Sequence, residues 1–134
     1  MIDRFNPPAV HPPDGYHHVT ISQVGRLAHL AGQCPVDLSG AVVGEPGDYA
    51  AQTAQTVTNC LAILAAAGAG PADVVRSVVY VVSPDSAVLS AVWRQLHASP
   101  LAEAFTTAST LLGVASLGYS GQLVEVDLTA ALPD

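Results

Sequence analysis

The stretch from Val74 to Val82 constrains the fold more than any other part of the chain, because it is apolar on both faces. Side chains alternate between the two faces of a strand, so one face would carry Val74, Val78, Tyr80 and Val82, and the other Val75, Val79 and Val81. Such a strand needs cover on both sides. The sequence predicts only two helices, at 49–67 and 86–97, which suffice for one face of a small sheet. We therefore expect another copy of the protein to close the other face, in a homo-oligomer.

The remaining elements follow in an order typical of an α+β fold. Residues 1–15 are rich in proline and predict an irregular N-terminal arm, and 16–134 predict a single domain. Segments 16–23 and 26–33 flank Val24-Gly25 and predict a β-hairpin. Asp48 is placed to cap the first helix, and strands are predicted at 105–114 and 123–130. Runs of strands separated by two helices predict a mixed sheet with both helices packed on one face.

Histidines and cysteines offer few routes to metal or thiol chemistry. In the predicted hairpin His18 and His29 are diagonal neighbours, but two ligands are too few for a metal site and no third residue has recognisable ligand spacing. Cys60 falls on the apolar face of the first helix and is expected in the core. Cys34 follows a strand directly, where a thiol could be accessible, but no residue that would activate it can be identified.

The charge balance argues against nucleic acid as a partner. The chain has 134 residues, four arginines, no lysine and eleven acidic residues, for a formal net charge of −7. An acidic surface repels phosphate backbones, and the absence of lysine excludes a Schiff-base lysine and the lysine of a phosphate-binding loop. No apolar run is long enough for a membrane span, and no secretory signal is visible at the start. These features predict a cytoplasmic protein without a membrane partner.

The last predicted strand carries the first candidate for chemistry. Val124, Val126, Leu128 and Ala130 alternate with Leu123, Glu125, Asp127 and Thr129, which is the period of a half-buried strand. One interpretation is that the two carboxylates lie on a solvated outer face. The other is that Glu125 lies in a cleft as an acid or base, since a rigid strand can hold a carboxylate at a fixed angle.

Several segments resemble the YjgF/RidA family of reactive intermediate deaminases. They are GYHH at 15–18, LAGQ at 30–33, AQTAQTVTNCL at 51–61, the passage 68–82 and QLVEV at 122–126. The resemblance runs over nearly all of the chain from residue 16 to 130. It implies a chorismate-mutase-like fold, a homotrimer and clefts between subunits. It also implies hydrolysis of 2-enamine or 2-imine acids to ammonia and a 2-oxo acid, without a metal or other cofactor.

Carrying the family's site residues across gives a mixed result. Glu125 stands at the position of the water-positioning glutamate, and Gly32 at that of the glycine where a ligand approaches the backbone. Tyr16 or His18 stands at the position of the cleft tyrosine. The departure is at Thr110, fifteen residues before Glu125 (125 − 15 = 110), where the deaminating members have an arginine that clamps the substrate carboxylate. A second departure is Ser90, which replaces an asparagine.

The resemblance is therefore to a subgroup that lacks the clamping arginine, and three hypotheses follow. The first is a hydrolase or deaminase for a small imine, enamine or related carbonyl compound, with Glu125 positioning water and Thr110, Ser90 and Gly32 shaping the cleft. Arg26, Arg76 or Arg94 from a neighbouring subunit could restore the clamp. The second is a binding module that keeps the clefts and has lost the chemistry. The third, an endoribonuclease or translation inhibitor, is disfavoured by the acidic charge.

Overall fold

The computed structural model describes residues 1–23 and 25–134, and two α-helices pack on a mixed β-sheet, as the sequence predicts. The strands are β1 Ile2–Phe5, β2 Val19–Ser22, β3 Leu27–His29, β4 Val74–Val82, β5 Ala108–Val114 and β6 Val124–Ala131. The α-helices are α1 Tyr49–Ala66 and α2 Ser86–His97, and short 3-10 turns cover Pro71–Asp73 and Ala102–Phe105. None of the helices in this part of the chain is long and apolar enough to cross a membrane.

The main sheet has four strands in the order β3-β6-β4-β5. β4 and β5 are parallel, whereas β6 runs antiparallel to both of its neighbours. Each α-helix is capped at its start by an aspartate side chain, a residue type favoured at that position. The carboxylate of Asp48 accepts a hydrogen bond from the backbone N–H of Ala51 at 2.9 Å, and that of Asp85 accepts from Ala87 at 2.8 Å, which satisfies donors that an α-helix leaves free in its first turn.

The core lies between the helices and one side of the sheet, which we call the helix side. The alternation predicted for β6 is confirmed, because Val124, Val126, Leu128 and Ala130 are all buried. They pack with buried residues of β4, both helices and the second 3-10 turn, which include Val79, Val81, Cys60, Leu64, Leu96 and Phe105.

A β-bulge in β4 corrects the predicted division of its side chains. The register shifts between Val74 and Arg76, because a bulge sets two residues against one and reverses the alternation beyond it. Val74 is therefore buried together with Val79 and Val81, and it does not share a face with Val78 and Tyr80 as predicted.

The other side of the sheet, which we call the open face, carries the side chains that alternate with the core. On β4 these are Arg76, Val78, Tyr80 and Val82, and on β6 they are Glu125, Asp127 and Thr129. The apolar members Val78, Tyr80 and Val82 stay partly exposed within the single chain. The described chain therefore leaves an accessible, partly apolar surface on the sheet.

The predicted hairpin between residues 16–23 and 26–33 is wrong. β2 pairs with β1 in a separate two-stranded sheet, whereas β3 pairs with the edge of β6. His18 and His29 consequently lie on segments that belong to different sheets. The N-terminal segment, predicted as irregular, supplies β1 as the partner for β2, and residues 6–15 lack helix and strand. Val24, in the predicted turn, lies outside the described residues.

Candidate functional site

Glu125 lies on the open face of β6, opposite Tyr80 of β4, and is half-buried. The neighbouring segment is held beside it by two backbone hydrogen bonds between Gln33 and Val126, at 2.7 and 3.0 Å. Gly32 contacts the carboxylate directly. A Cβ atom on Gly32 would lie 2.8 Å from Cδ of Glu125 and nearer still to Oε2. The glycine therefore provides the space that the carboxylate occupies.

Two side chains hold one oxygen of this carboxylate. The thiol of Cys34 donates to Oε1 of Glu125 at 3.2 Å, and the amide nitrogen of Gln122 donates to the same oxygen at 3.2 Å. Gln122 is only 3% exposed, and its amide also bonds the backbone of Tyr119 and Val124. Within residues 1–23 and 25–134, Oε2 accepts no hydrogen bond. Glu125 is thus oriented through Oε1, and Oε2 is left for a ligand or water.

Cys34 acts here as a hydrogen-bond donor. Burial first, and then the hydrogen bond to Glu125 and the negative charge of that carboxylate, together raise the pKa of its thiol to about 11. The reactive form of a cysteine is the thiolate. A thiol with this pKa is protonated at neutral pH, so the geometry does not favour the nucleophile that the position of Cys34 left open.

Polar side chains of α1 fix both loops that carry the site. Gln52 donates to the carbonyl of Gly121 at 2.9 Å and accepts from the N–H of Leu123 at 2.7 Å. Asn59 donates to the carbonyls of Cys34 and Val36, each at 2.9 Å. Gln52 is buried, at 2% exposed, and its role in the site was not predicted from the sequence.

Sequence reasoning also missed Gln122 as a site residue. The available signal for the α1 amides was their spacing, because residues seven apart in a helix lie on the same side. No local pattern marks Gln122, whose partners lie in a turn and on the adjoining strand.

Thr110 lies on β5 of the open face, opposite Val78, and is exposed. Its hydroxyl accepts a hydrogen bond at 2.8 Å from Nη2 of Arg76, on the adjacent strand of the same chain. Two strand spacings separate β5 from β6, about 10 Å. Thr110 and Glu125 therefore share a face of the sheet but do not meet within one chain.

The other predicted ligand-binding residues lie near α2. The rings of Tyr16 and Trp93 have centroids 6.4 Å apart, and those of Tyr16 and His18 are 5.5 Å apart. Nε2 of His18 bonds the carbonyl oxygen of His11 at 2.8 Å. Ser90 is exposed on α2. The chain thus brings together Glu125 and Gly32, whereas the roles predicted for Tyr16, His18, Ser90 and Thr110 stay predictions.

In the part of the chain described, no group of three or more His, Cys, Asp and Glu side chains is arranged to hold a metal ion. The polar atoms around Glu125 are a thiol and an amide. The arrangement can orient a carboxylate toward a neutral molecule or water, and a carboxylate so held can accept a proton.

The family model described as Endoribonuclease L-PSP matches residues 8–132. No curated protein sequence matches the chain. Among solved structures, the Rid family protein YyfB from Yersinia pestis, described as of unknown function, is 36% identical, with a TM-score of 0.87 and 98% of each chain covered. Rv2704 from Mycobacterium tuberculosis, a member of the YjgF/YER057c/UK114 family, is 26% identical, with a TM-score of 0.59 and coverage of 98% of this chain and 100% of that one.

NMB1025 from Neisseria meningitidis, a YjgF family protein, is 25% identical, with a TM-score of 0.62 and coverage of 100% of this chain and 97% of that one. The family match spans most of the chain, including both segments that form the Glu125 site. The chain therefore belongs to the YjgF/YER057c/UK114 family, whose model is named Endoribonuclease L-PSP.

Proposed function

We propose that the protein binds a small metabolite in clefts between the subunits of a homotrimer and hydrolyses an imine, enamine or related carbonyl compound without a cofactor. The observation that carries the proposal is the state of Glu125. One oxygen is held by Cys34 and Gln122, and the other lies against Gly32 with no hydrogen-bond partner in the described chain. A fixed, half-buried carboxylate with one free oxygen suits a general base that orients water.

The proposed chemistry takes place at Oε2 of Glu125, while Oε1 stays bonded to Cys34 and Gln122. Oε2 accepts a proton from water while the water oxygen forms a bond to the C=N carbon, and Glu125 passes that proton to the imine nitrogen to give a tetrahedral adduct. Oε2 then takes the proton of the adduct's hydroxyl as the carbonyl forms and the C–N bond breaks, and Glu125 passes this proton to the leaving nitrogen, which departs as ammonia. Imine and water are consumed, and ammonia and a carbonyl compound are released, so the carboxylate ends as it began.

The open face supports placing this reaction between subunits. Its residues Val78, Tyr80 and Val82 are partly exposed in the single chain, and covering apolar side chains stabilises an association. Glu125 and Thr110 lie on strands about 10 Å apart, with β4 between them, and they are offset by two residues along that strand. A small molecule that contacts both positions must therefore take them from different copies of the chain.

A binding module without chemistry is the alternative, and Thr110 is the observation that favours it. A hydroxyl at this position cannot itself form the paired, charged hydrogen bonds by which an arginine holds a carboxylate. An endoribonuclease is not supported. Arg4 bonds the carbonyls of Ala72 and Val74, so one of the four cations is already engaged in the fold of a chain of net charge −7.

The test is release of ammonia and 2-oxo acid from imino acids that an amino-acid oxidase generates in the same vessel. We expect the wild type to accelerate release and Glu125→Gln to lose the acceleration. Asp127→Asn is the matched control, since Asp127 lies on the same strand and the same face, and it should keep the wild-type rate. Equal rates for the wild type and Glu125→Gln would refute the catalytic role. If the wild type accelerates release from none of a range of imino acids, the result would favour the alternative, a binding module without chemistry.

A further inference from the structure

We propose that Arg76 is the anion-binding residue of this protein and takes the carboxylate of a small acidic ligand. The inference rests on the proposed function, because it names the substrate class of the same cleft. Arg76 is exposed on the open face of β4, and the described structure gives its guanidinium a single hydrogen bond, from Nη2 to the hydroxyl of Thr110. Its other N–H groups are therefore free to bind a ligand.

The direction of the side chain is informative in a chain this acidic. Eleven acidic residues outnumber four arginines, and Arg76 has carboxylate-bearing β6 on one side. It pairs across the sheet with Thr129, and Asp127 is the next open-face residue along β6. The guanidinium nevertheless extends the other way, to Thr110 on β5. Within residues 1–23 and 25–134, Arg76 makes no ion pair.

A guanidinium held by a neutral hydroxyl keeps its full charge for a ligand. It is planar, always protonated at physiological pH, and presents N–H groups in a fork that matches the two oxygens of a carboxylate. Thr110 contributes by fixing the side chain at a distance from Asp127, which would otherwise neutralise it. The ligand class that fits is therefore a small molecule with a free carboxylate, such as a 2-imino or 2-oxo acid.

Arg76 and Glu125 of one chain cannot hold the same small molecule. Glu125 lies opposite Tyr80, and Arg76 is four residues earlier on that strand, about 13 Å away along it. The side chain of Arg76 also extends away from β6. The carboxylate anchor, Arg76, and the base, Glu125, of one cleft must therefore come from different copies of the chain. The site is then incomplete in a monomer.

The first test compares binding of pyruvate with binding of pyruvamide, its neutral amide, by calorimetry or NMR titration. We expect the wild type to prefer pyruvate and Arg76→Gln to lose about tenfold to a hundredfold in pyruvate affinity, the range for a hydrogen-bonded charged group. Pyruvamide binding should change little. Arg94→Gln, which removes an exposed arginine of α2, should behave as the wild type. Equal binding of the two compounds by the wild type, equal losses in the two arginine variants, or no saturable binding at all would overturn the proposal.

The variant Glu125→Gln separates this inference from the proposed function. If Glu125→Gln abolishes turnover but the wild type does not prefer pyruvate to pyruvamide, the catalytic role of Glu125 is supported and carboxylate binding by Arg76 is refuted. If Glu125→Gln leaves turnover unchanged and the preference for pyruvate depends on Arg76, carboxylate binding by Arg76 is supported and the catalytic role of Glu125 is refuted.

Subunit mixing tests the placement of the anchor. Glu125→Gln and Arg76→Gln chains are each expected to be inactive, and co-refolding them in equal amounts should restore about a quarter of the wild-type activity, because each cleft draws its base and its anchor from two chains at random. Restoration supports the inference. No restoration would overturn it, provided that each variant still assembles as the wild type does.

Discussion

Replacing Gly32 with alanine should disable the site while leaving the fold intact. The added Cβ would lie 2.8 Å from Cδ of Glu125 and closer to its Oε2, whereas carbon atoms in contact lie about 3.5–4.0 Å apart. The backbone of Gly32 itself tolerates alanine, because Gly32 is not among the glycines with positive φ. The three atoms nearest to the added Cβ all belong to the Glu125 side chain, so the clash falls on that side chain.

The size of the effect follows from the displacement that the methyl group requires. Moving Cδ from 2.8 Å to an ordinary contact shifts the carboxylate by about 1 Å, and a misplacement of that size can cost about a hundredfold in rate. The free energy of unfolding should change by less than about 1 kcal/mol, because alanine also restricts the unfolded chain, which favours folding. Gly32→Ala is thus expected to lose activity while its stability stays close to that of the wild type.

The assay is ammonia release measured beside thermal unfolding. Gly118→Ala is the matched control, since a Cβ there meets no atom within 4 Å and its φ is not positive. We expect wild-type activity from Gly118→Ala and about a hundredfold loss from Gly32→Ala, with similar melting temperatures. A Gly32→Ala protein that keeps the wild-type rate would refute the assignment of Glu125 as the reacting group.

Three further predictions concern the thiol and the amides. Glu125→Gln should speed alkylation of Cys34 by iodoacetamide, because the carboxylate raises the pKa of that thiol; mass spectrometry would follow the reaction, and an unchanged rate would contradict the contact. Burial and the Glu125 carboxylate together raise the Cys34 pKa from 9.0 to about 11 in the folded chain, so the native state keeps this proton to higher pH, and the free energy of unfolding should fall as pH rises from 9 to 11. Urea unfolding of Cys34→Ala should show a weaker fall of stability between pH 9 and 11 than the wild type. The same fall in both proteins would contradict the prediction. Gln52→Ala should lower the free energy of unfolding by about 2 kcal/mol, because it leaves two backbone groups of the loop before β6 without partners. The control is Gln95→Ala, which removes an amide from an exposed hydrogen bond, and an equal loss of unfolding free energy in the two variants would contradict the prediction.

Elements defined by local signals were predictable from the sequence. The second helix was expected at 86–97 and is α2 Ser86–His97, and the first was expected at 49–67 and is α1 Tyr49–Ala66. Both have an aspartate cap and an apolar period. β6 was predictable for the same reason, since strict alternation over a strand reports burial on one side.

Strand pairing was not predictable in the N-terminal part of the chain. β1 has only four residues and is followed by Asn6 and then by prolines 7 and 8, so its sequence predicts an irregular arm. Its partner β2 lies fourteen residues or more along the chain in the register Ile2 to Ser22 and Phe5 to Val19. Pairing of this kind depends on the rest of the fold, and no local pattern expresses it. The bulge at Val74 is hidden in the same way, because both parities of β4 are apolar.

The candidate site was also predictable only in part, where a local sequence pattern marks the residue. Glu125 stands out because its position alternates with buried valines, and Gly32 because it lies in the LAGQ segment that resembles the family, but the contact between the two depends on the tertiary fold. Gln122 and Gln52 were missed because a buried amide is recognised by its backbone partners, and those partners come from loops whose path the sequence does not state.

The position of Glu125 is determined by the same packing that stabilises the protein. On β6 the residues on either side of it, Val124 and Val126, are 1% exposed in the core, while Glu125 faces the opposite way toward Gly32 and Cys34. A shift of one residue would turn the valines out and the carboxylate in, so the core fixes the register. The backbone bonds between Gln33 and Val126 then fix the distance to Gly32. The carboxylate is thus held by the hydrophobic core from behind and by a thiol and an amide at Oε1, which leaves Oε2 as the oxygen free to act on a ligand.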